Sequence, residues 1–188
     1  MADPAPRIAP GGRADVGLLT WLFALASGRV TRTTPPNLFL TLGRQRRLFH
    51  GWLHFAGRLM PGGALPRRES ELVILRVAHL TDCAYEAAHH RRLAARAGLT
   101  SAEIERVVDG PDAEGWSERD RMLLRVTDEL HRDRDLSDDA WASVGEHLDD
   151  ATAIELLLLV THYEMLATTI NTLRIAVDRP RGRTMRST

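Results

Sequence analysis

The run from Glu71 to His90 places three acids, the chain's only cysteine, a tyrosine and three histidines in two adjoining helical segments. Core helices rarely need so many titratable side chains, whereas active sites are built from acids, bases and thiols whose protonation is set by their surroundings. At about 100° per residue, Cys83, Glu86 and His90 fall on one side of the second segment, at i, i+3 and i+7. That row is close enough for hydrogen bonding or proton transfer. Tyr85 and His89 lie on another side. Cys83 sits in the first turn, where the helix dipole and free N–H groups favour a thiolate, and an imidazolium at His90 would favour it further. Glu71 reaches the row if the two segments fold back on each other.

Each of these residues also has a structural explanation. An acid at Glu71, beside Glu69, suits an early helical turn without any catalysis. Glu86 and His90 could be an exposed i, i+4 pair worth only ~0.3–0.5 kcal/mol. Cys83 could be a small apolar core residue, and Tyr85 and His89 could edge a core. His79 suits the last carbonyls of its helix. His162, Tyr163 and Glu164 read as core or interface.

Helices must position these groups, because the apolar period is helical almost throughout and no alternating strand pattern competes with it. Leu18 to Ala26 reads as a short apolar helix, and Leu38 to Leu59 as one long helix after Pro35-Pro36. Met60-Pro61-Gly62-Gly63 ends it, and Pro66 opens a helix from Arg67 to His79. Thr81-Asp82 reads as the N-cap of a helix from Cys83 to Ala97, stopped by Gly98. Thr100 and Glu103 form a capping-box signature for a helix to Val108. Further helices start at Ser117, Ser137 and Asp150, the last reaching about Val177. In that last helix Ile154 to Val160 is apolar nearly all round, which predicts a central helix in the core or at a subunit interface. The expectation is an all-α bundle of six to eight helices.

Across 188 residues this gives one domain over 17–178, a flexible N-terminal tail over 1–16 and a basic C-terminal tail over 179–188. The formal net charge is zero, so no overall field favours nucleic acid or an acidic membrane as partner. No apolar run approaches a bilayer span, and no signal-peptide core opens the chain, so a cytoplasmic location is expected. All 25 basic residues are arginine. Schiff-base chemistry and the internal aldimine of pyridoxal enzymes need a lysine amine and are excluded. One cysteine excludes an intrachain disulfide and a thiolate metal cage. A metal held by His79, Glu86 and His90 is chemically conceivable, but no metalloenzyme spacing supports it.

The stretch from Leu65 to Val108 resembles the carboxymuconolactone decarboxylase and alkyl hydroperoxidase D superfamily. The peroxidase branch carries a glutamate, eleven residues, then Cys-x-x-Cys-x-x-x-His. Here Glu71, Cys83 and His90 keep that spacing, and Glu86 stands where the second cysteine would be. The flanks Leu65-Pro-Arg-Arg-Glu-Ser-Glu-Leu and Ala97-Gly-Leu-Thr also look typical, and a looser likeness extends from Pro36 to Ile175. The resemblance implies an alkyl hydroperoxidase D-like bundle, a homo-oligomer (dimer, trimer or hexamer), no cofactor and a small-molecule substrate. It also implies that Glu86 occupies the peroxidatic position and Cys83 the resolving one, so a dithiol cycle cannot run.

The leading expectation is therefore a lyase of decarboxylase or isomerase type, working on a small organic acid or lactone. Glu86 and His90 would transfer protons while Glu71 orients His90. Tyr85, His89 or His79 would contact substrate, and Trp52, Phe55 and the last helix would exclude water. The alternatives are a peroxidase-type enzyme using Cys83 alone and a non-catalytic, oligomeric ligand-binding scaffold.

Overall fold

A computed structural model describes residues 5–181, and every regular element among them is helical. In chain order these are α1 (Arg13–Val16), α2 (Leu18–Thr31), α3 (Asn37–Leu42), α4 (Arg46–Leu59), α5 (Arg67–Leu80), α6 (Ala84–Ala97) and α7 (Ser101–Arg106). A 3-10 turn (Val107–Asp109) follows, then α8 (Glu118–Asp133), α9 (Asp138–His147) and α10 (Asp150–Leu173). The all-α class is as expected, with more helices than six to eight. The helix expected over 38–59 is broken at Gly43-Arg44-Gln45 into α3 and α4. A short α1 also forms inside the segment expected to be a tail. Residues 1–4 and 182–188, including most of the basic tail with Arg183 and Arg186, lie outside the described residues.

The described chain divides into two compact units. One comprises the residues up to His54 with those from Thr172, the other Phe55–Asn171. In the first, Val16, Ala24 and Leu40 form a buried cluster with Trp21 and Phe39 against it. The backbone of Gly11 donates to Leu40, and Thr34 and Arg179 join through their backbones, so the chain on both sides of this cluster is tied down.

The second unit holds the chemistry-bearing run. Its central helix is α5, in which every residue from Ser70 to Ala78 is buried. Leu72, Val73, Ile74 and Val77 are sealed from solvent, and burial of each such side chain stabilises the fold by ~1.5–3 kcal/mol. Leu72 and Leu75 pack with Ala94, Leu99, Ile104, Val107, Trp116 and Leu124. Charged side chains fix α5 from its other sides. Arg68 pairs with Asp120 and Glu103, Arg119 pairs with Glu69, and Glu155 of α10 accepts from the backbone of Ala64 and Leu65. Arg76, itself buried, forks onto both oxygens of Asp128 at 2.6 and 2.8 Å and donates to the carbonyls of Val107 and Val108. It thereby holds the 3-10 turn against α5 and α8.

Local signals read from the sequence account for several helix ends. Thr100 and Glu103 cap each other reciprocally, Ser117 and Ser137 accept from Asp120 and Ala140, and Gly98 ends α6 at φ +103°. Thr81-Asp82 departs from expectation. Asp82 is left-handed at φ +50° and Cys83 is the N-cap, so α6 starts at Ala84. The last helix stops at Leu173, short of Val177, with Arg174 left-handed. Within one chain it is buried on one side only: Leu156, Leu159, Val160, Tyr163, Leu166 and Ile170 are buried, while Ile154, Leu158 and Met165 are exposed. By length and composition α10 could cross a bilayer, but half of its apolar window is buried inside the protein.

Candidate active site

Two antiparallel turns of chain create the site. After α5, the left-handed residue Asp82 reverses the backbone, and α6 runs back alongside α5, bringing Glu71 opposite His90. The Glu71 side chain is 0 % exposed, and its Oε2 lies 2.7 Å from His90 Nδ1. Its Oε1 lies 2.7 Å from Nη2 of Arg67, one turn earlier on α5. A carboxylate only accepts, so Nδ1 of His90 carries the proton and Nε2 is left as the working nitrogen. The His90 ring stands perpendicular to Tyr163 at 5.2 Å and edge-on to His89 at 5.4 Å.

Cys83, Glu86 and His90 do share a buried side of α6, at 1, 2 and 7 % exposure. Neither oxygen of the Glu86 carboxyl meets a hydrogen-bond donor in good geometry among the described residues. The nearest polar help is the weak thiol donor of Cys83, which pulls its pKa down a little. Burial, with the charge of Glu164, outweighs that and pushes Glu86 up to about 8. A protonated carboxylic acid at neutral pH is the result. This position is the departure from the Cys-x-x-Cys pattern, and the structure makes it the most perturbed acid of the site.

Of the two readings of Cys83, the structure fits the small buried residue and not the thiolate. Burial first, and then the neighbouring Glu86 charge, push the thiol up to about 12. Hydrogen bonding from the backbone at the start of α6 is too weak to offset desolvation, and the His90 Nδ1 expected to help is committed to Glu71. The thiol is neutral at physiological pH.

The expected substrate contacts separate. Tyr85 is buried. His89 is half-buried, its Nδ1 is without a partner, and desolvation pushes it down to about 3, so it is a neutral ring. His79 is exposed at the end of α5 and lines a cleft of about 200 Å³ together with Asp82, Cys83 and Arg91. It is therefore not brought to Glu86 and His90 as a metal row would require, and no three His, Cys, Asp or Glu side chains among the described residues converge as a metal site. Of the expected walls, Phe55 stacks edge-on to His162 at 5.4 Å, and Trp52 belongs to the other unit.

Three residues that the sequence did not single out for chemistry belong to this site: Arg67, Tyr163 and Glu164. Tyr163 is buried, and desolvation and the charges of Glu86 and Glu71 push its phenol upward, so it stays a neutral donor. Glu164 accepts from His131 at 2.7 Å and pairs with Arg134 at 3.0 Å, and its charge reaches Glu86. No spacing in the chain announces them, because α10 meets α6 only in the fold. Arg67, four residues before Glu71, could have been found as an i, i+4 ion-pair partner.

Residues 46–129 match the carboxymuconolactone decarboxylase family. No curated protein matches the chain. Among solved structures, the chain is similar to an alkylhydroperoxidase AhpD core, an uncharacterized peroxidase-related protein from Ralstonia eutropha JMP134. The TM-score is 0.81 at 17 % identity, covering 97 % of this chain and 100 % of that one. An uncharacterized peroxidase-related protein from Silicibacter sp. TM1040 gives a TM-score of 0.80 at 12 % identity, over 97 % and 98 % of the two chains. A cysteine-to-alanine variant of the debrominase Bmp8 in complex with 2,3,4-tribromopyrrole gives 0.76 at 12 % identity, over 94 % of each chain. At these identities the likeness is one of fold. Beside that fold stand the family match over residues 46–129 and the Glu71, Cys83 and His90 spacing, with Glu86 in place of the second cysteine, which together make the chain similar to the carboxymuconolactone decarboxylase and alkyl hydroperoxidase D-like superfamily.

Proposed function

We propose that this protein is a cofactor-free acid–base enzyme of decarboxylase or isomerase type, acting on a small organic acid or lactone. The observation that carries this reading is the Glu86 carboxyl, buried without a good hydrogen-bond donor and pushed up to about 8. A group in that state is a proton donor at neutral pH. In a decarboxylation, the bond to the departing carbon dioxide breaks and its electron pair passes into the substrate's conjugated carbonyl. Glu86 then gives its proton to the carbon of the resulting enolate and is reprotonated from solvent. In an isomerisation, His90 Nε2 takes a proton from the carbon next to the carbonyl and Glu86 returns one elsewhere on the conjugated system. Glu71 holds the imidazole in place through Nδ1, and the neutral Tyr163 phenol is a suitable donor to an enolate oxygen.

The test is proton exchange. Conjugated lactone acids incubated with the protein in deuterated water are followed by NMR for carbon-bound deuterium and loss of carboxylate. Glu86→Gln is expected to slow either reaction by roughly 10²-fold or more. Full activity in that variant overturns the assignment.

A second reading, thiol chemistry at Cys83, draws support from one observation: Cys83 lines the cleft of about 200 Å³, and Glu86 does not. A thiol pushed up to about 12 counts against it. Rapid formation of a sulfenic acid with peroxide, lost in Cys83→Ser, would favour it over the acid–base reading.

A further inference from the structure

The cleft at Cys83 has a distribution of charge that the acid–base reading does not use. Its walls are Leu75 and Ala78 from α5, Ala84 and Ala87 from α6, and Ile104, Val107 and Val108 from the segment that Arg76 holds in place. At about 200 Å³ it lies below the ~300–1,000 Å³ of drug-sized sites, so its ligand is small. The polar residues sit at its two ends. His79, Asp82 and Cys83 cluster at the start of α6. Arg91 lies seven positions beyond Ala84 on the same helix, about 10 Å along the axis.

Arg91 is held only loosely by what it now touches. Its partner is Glu105, and the two side chains are 42 and 71 % exposed. Such a pair is worth little in water. A planar guanidinium at the rim of an apolar cleft is well suited to a carboxylate, which it can bind in fork geometry. Asp82 disfavours a second negative charge at the opposite end, where the neutral thiol of Cys83 and the imidazole of His79 suit an uncharged carbonyl instead.

We propose that Arg91 is the anion anchor of the substrate cleft, exchanging Glu105 for the carboxylate of a small monoanion whose apolar chain lies along Ala87 and Ile104 and whose uncharged, reactive end rests at Cys83. This rests on reading the cleft as the mouth of the Cys83–Glu86 site and on the isomerase form of the acid–base chemistry, because the only carboxylate of an anchored monoanion lies away from the reacting carbon. Binding energy from the remote carboxylate then positions the reactive end, as binding of a non-reacting group can do. Arg91 in this role is a specificity-determining residue that never touches the reacting atoms.

The probe is hexa-2,4-dienoate, a linear conjugated monocarboxylate, compared with its uncharged amide. Both are titrated into methyl-labelled protein and followed by NMR. The expected result is that the dienoate shifts the methyl signals of Ile104, Val107 and Val108. Arg91→Gln weakens it roughly tenfold or more, Glu105→Gln tightens it about twofold, and the amide binds wild type and Arg91→Gln alike. Arg132→Gln, which removes the same charge outside the cleft lining, leaves affinity unchanged. Equal dienoate affinity in wild type and Arg91→Gln overturns the proposal. So do shifts centred instead on Leu130 and Val160, which line a separate cleft of about 290 Å³, or no binding at about millimolar concentration. Turnover in Glu86→Gln separates the two readings. Arg91-dependent binding with full Glu86→Gln activity leaves the anchor standing and removes the acid–base role. Arg91-independent binding with an inactive Glu86→Gln variant does the reverse.

Discussion

Glu71 Oε2 and His90 Nδ1 lie 2.7 Å apart across α5 and α6, both buried, with Arg67 closing the other side of the carboxylate. The imidazole is thereby fixed in one tautomer and one orientation. Glu71→Gln keeps the shape but replaces the charged acceptor at His90 Nδ1 with a neutral amide. Activity is expected to fall roughly 10–100-fold, with little change in KM, because the loss is felt in the transition state. Glu71→Ala adds an orphaned His90 and a cavity, and should cost about 3–5 kcal/mol in urea denaturation. Equal stability of the two variants would remove the pair's structural role.

The Glu86 carboxyl holds its proton up to about pH 8 in the folded chain, against an ordinary value of 4.5. Between those values the native state binds more protons than the unfolded state, so stability falls as pH rises. The contribution amounts to about 3 kcal/mol lost on going from pH 4.5 to pH 7. Glu86→Gln is expected to remove this slope and raise Tm most at pH 8, while abolishing the activity whose rate falls as pH rises through about 8. Parallel pH series of thermal melts and turnover test both halves.

Two histidines work in the opposite sense. Burial pushes His89 down to about 3 and His162 down to about 4, both from 6.5. The unfolded chain takes up these protons first, so the stabilising contribution is complete above pH 6.5 and is lost as pH falls towards 3–4. For His89 the loss is about 2 kcal/mol between pH 7 and pH 5. His89→Leu should flatten this part of the stability profile in denaturant titrations at pH 5 and 7, and an unchanged profile would show that His89 is not buried neutral.

The Cys83 thiol, pushed up to about 12 from 9.0, should alkylate with iodoacetamide roughly a thousandfold more slowly than an unperturbed thiol at pH 8. Cys83→Ala removes the donor that lowers Glu86, so the basic limb of the pH–rate profile should move upward. A fast, complete alkylation would return thiol chemistry to first place.

Arg76 gives a structural prediction about the cleft. Gly110 has φ +83°, and a Cβ there would lie 2.8 Å from Arg76 Nη2. Gly110→Ala combines backbone strain with displacement of a buried guanidinium, and is expected to destabilise by about 2–4 kcal/mol. A variant as stable as the wild type would mean that Arg76 does not hold the 3-10 turn.

Much of this was determined by the sequence alone. The helical period set the all-α class, and short-range caps such as Thr100 with Glu103, Ser117 and Gly98 set several helix ends, because those interactions span only a few residues. The i, i+3, i+7 row of Cys83, Glu86 and His90 followed from helix geometry in the same way, and the likeness to the superfamily from their spacing to Glu71. What the fold decided was environment. In the sequence Cys83 reads equally as a thiolate or a small buried residue, and burial beside Glu86 decides for the neutral thiol. Glu86 reads as a proton-transfer partner of His90 or as an ordinary pair with it, and the fold gives the imidazole to Glu71 and leaves the acid without a good donor. Tyr163 and Glu164 joined the site only because α10 packs there, and that packing also decided which apolar residues of the helix, Ile154, Leu158 and Met165, stay exposed on the single chain. Helix period and capping are local and legible in the chain. Desolvation and charge coupling depend on which distant segments meet, and those fix the protonation on which the chemistry depends.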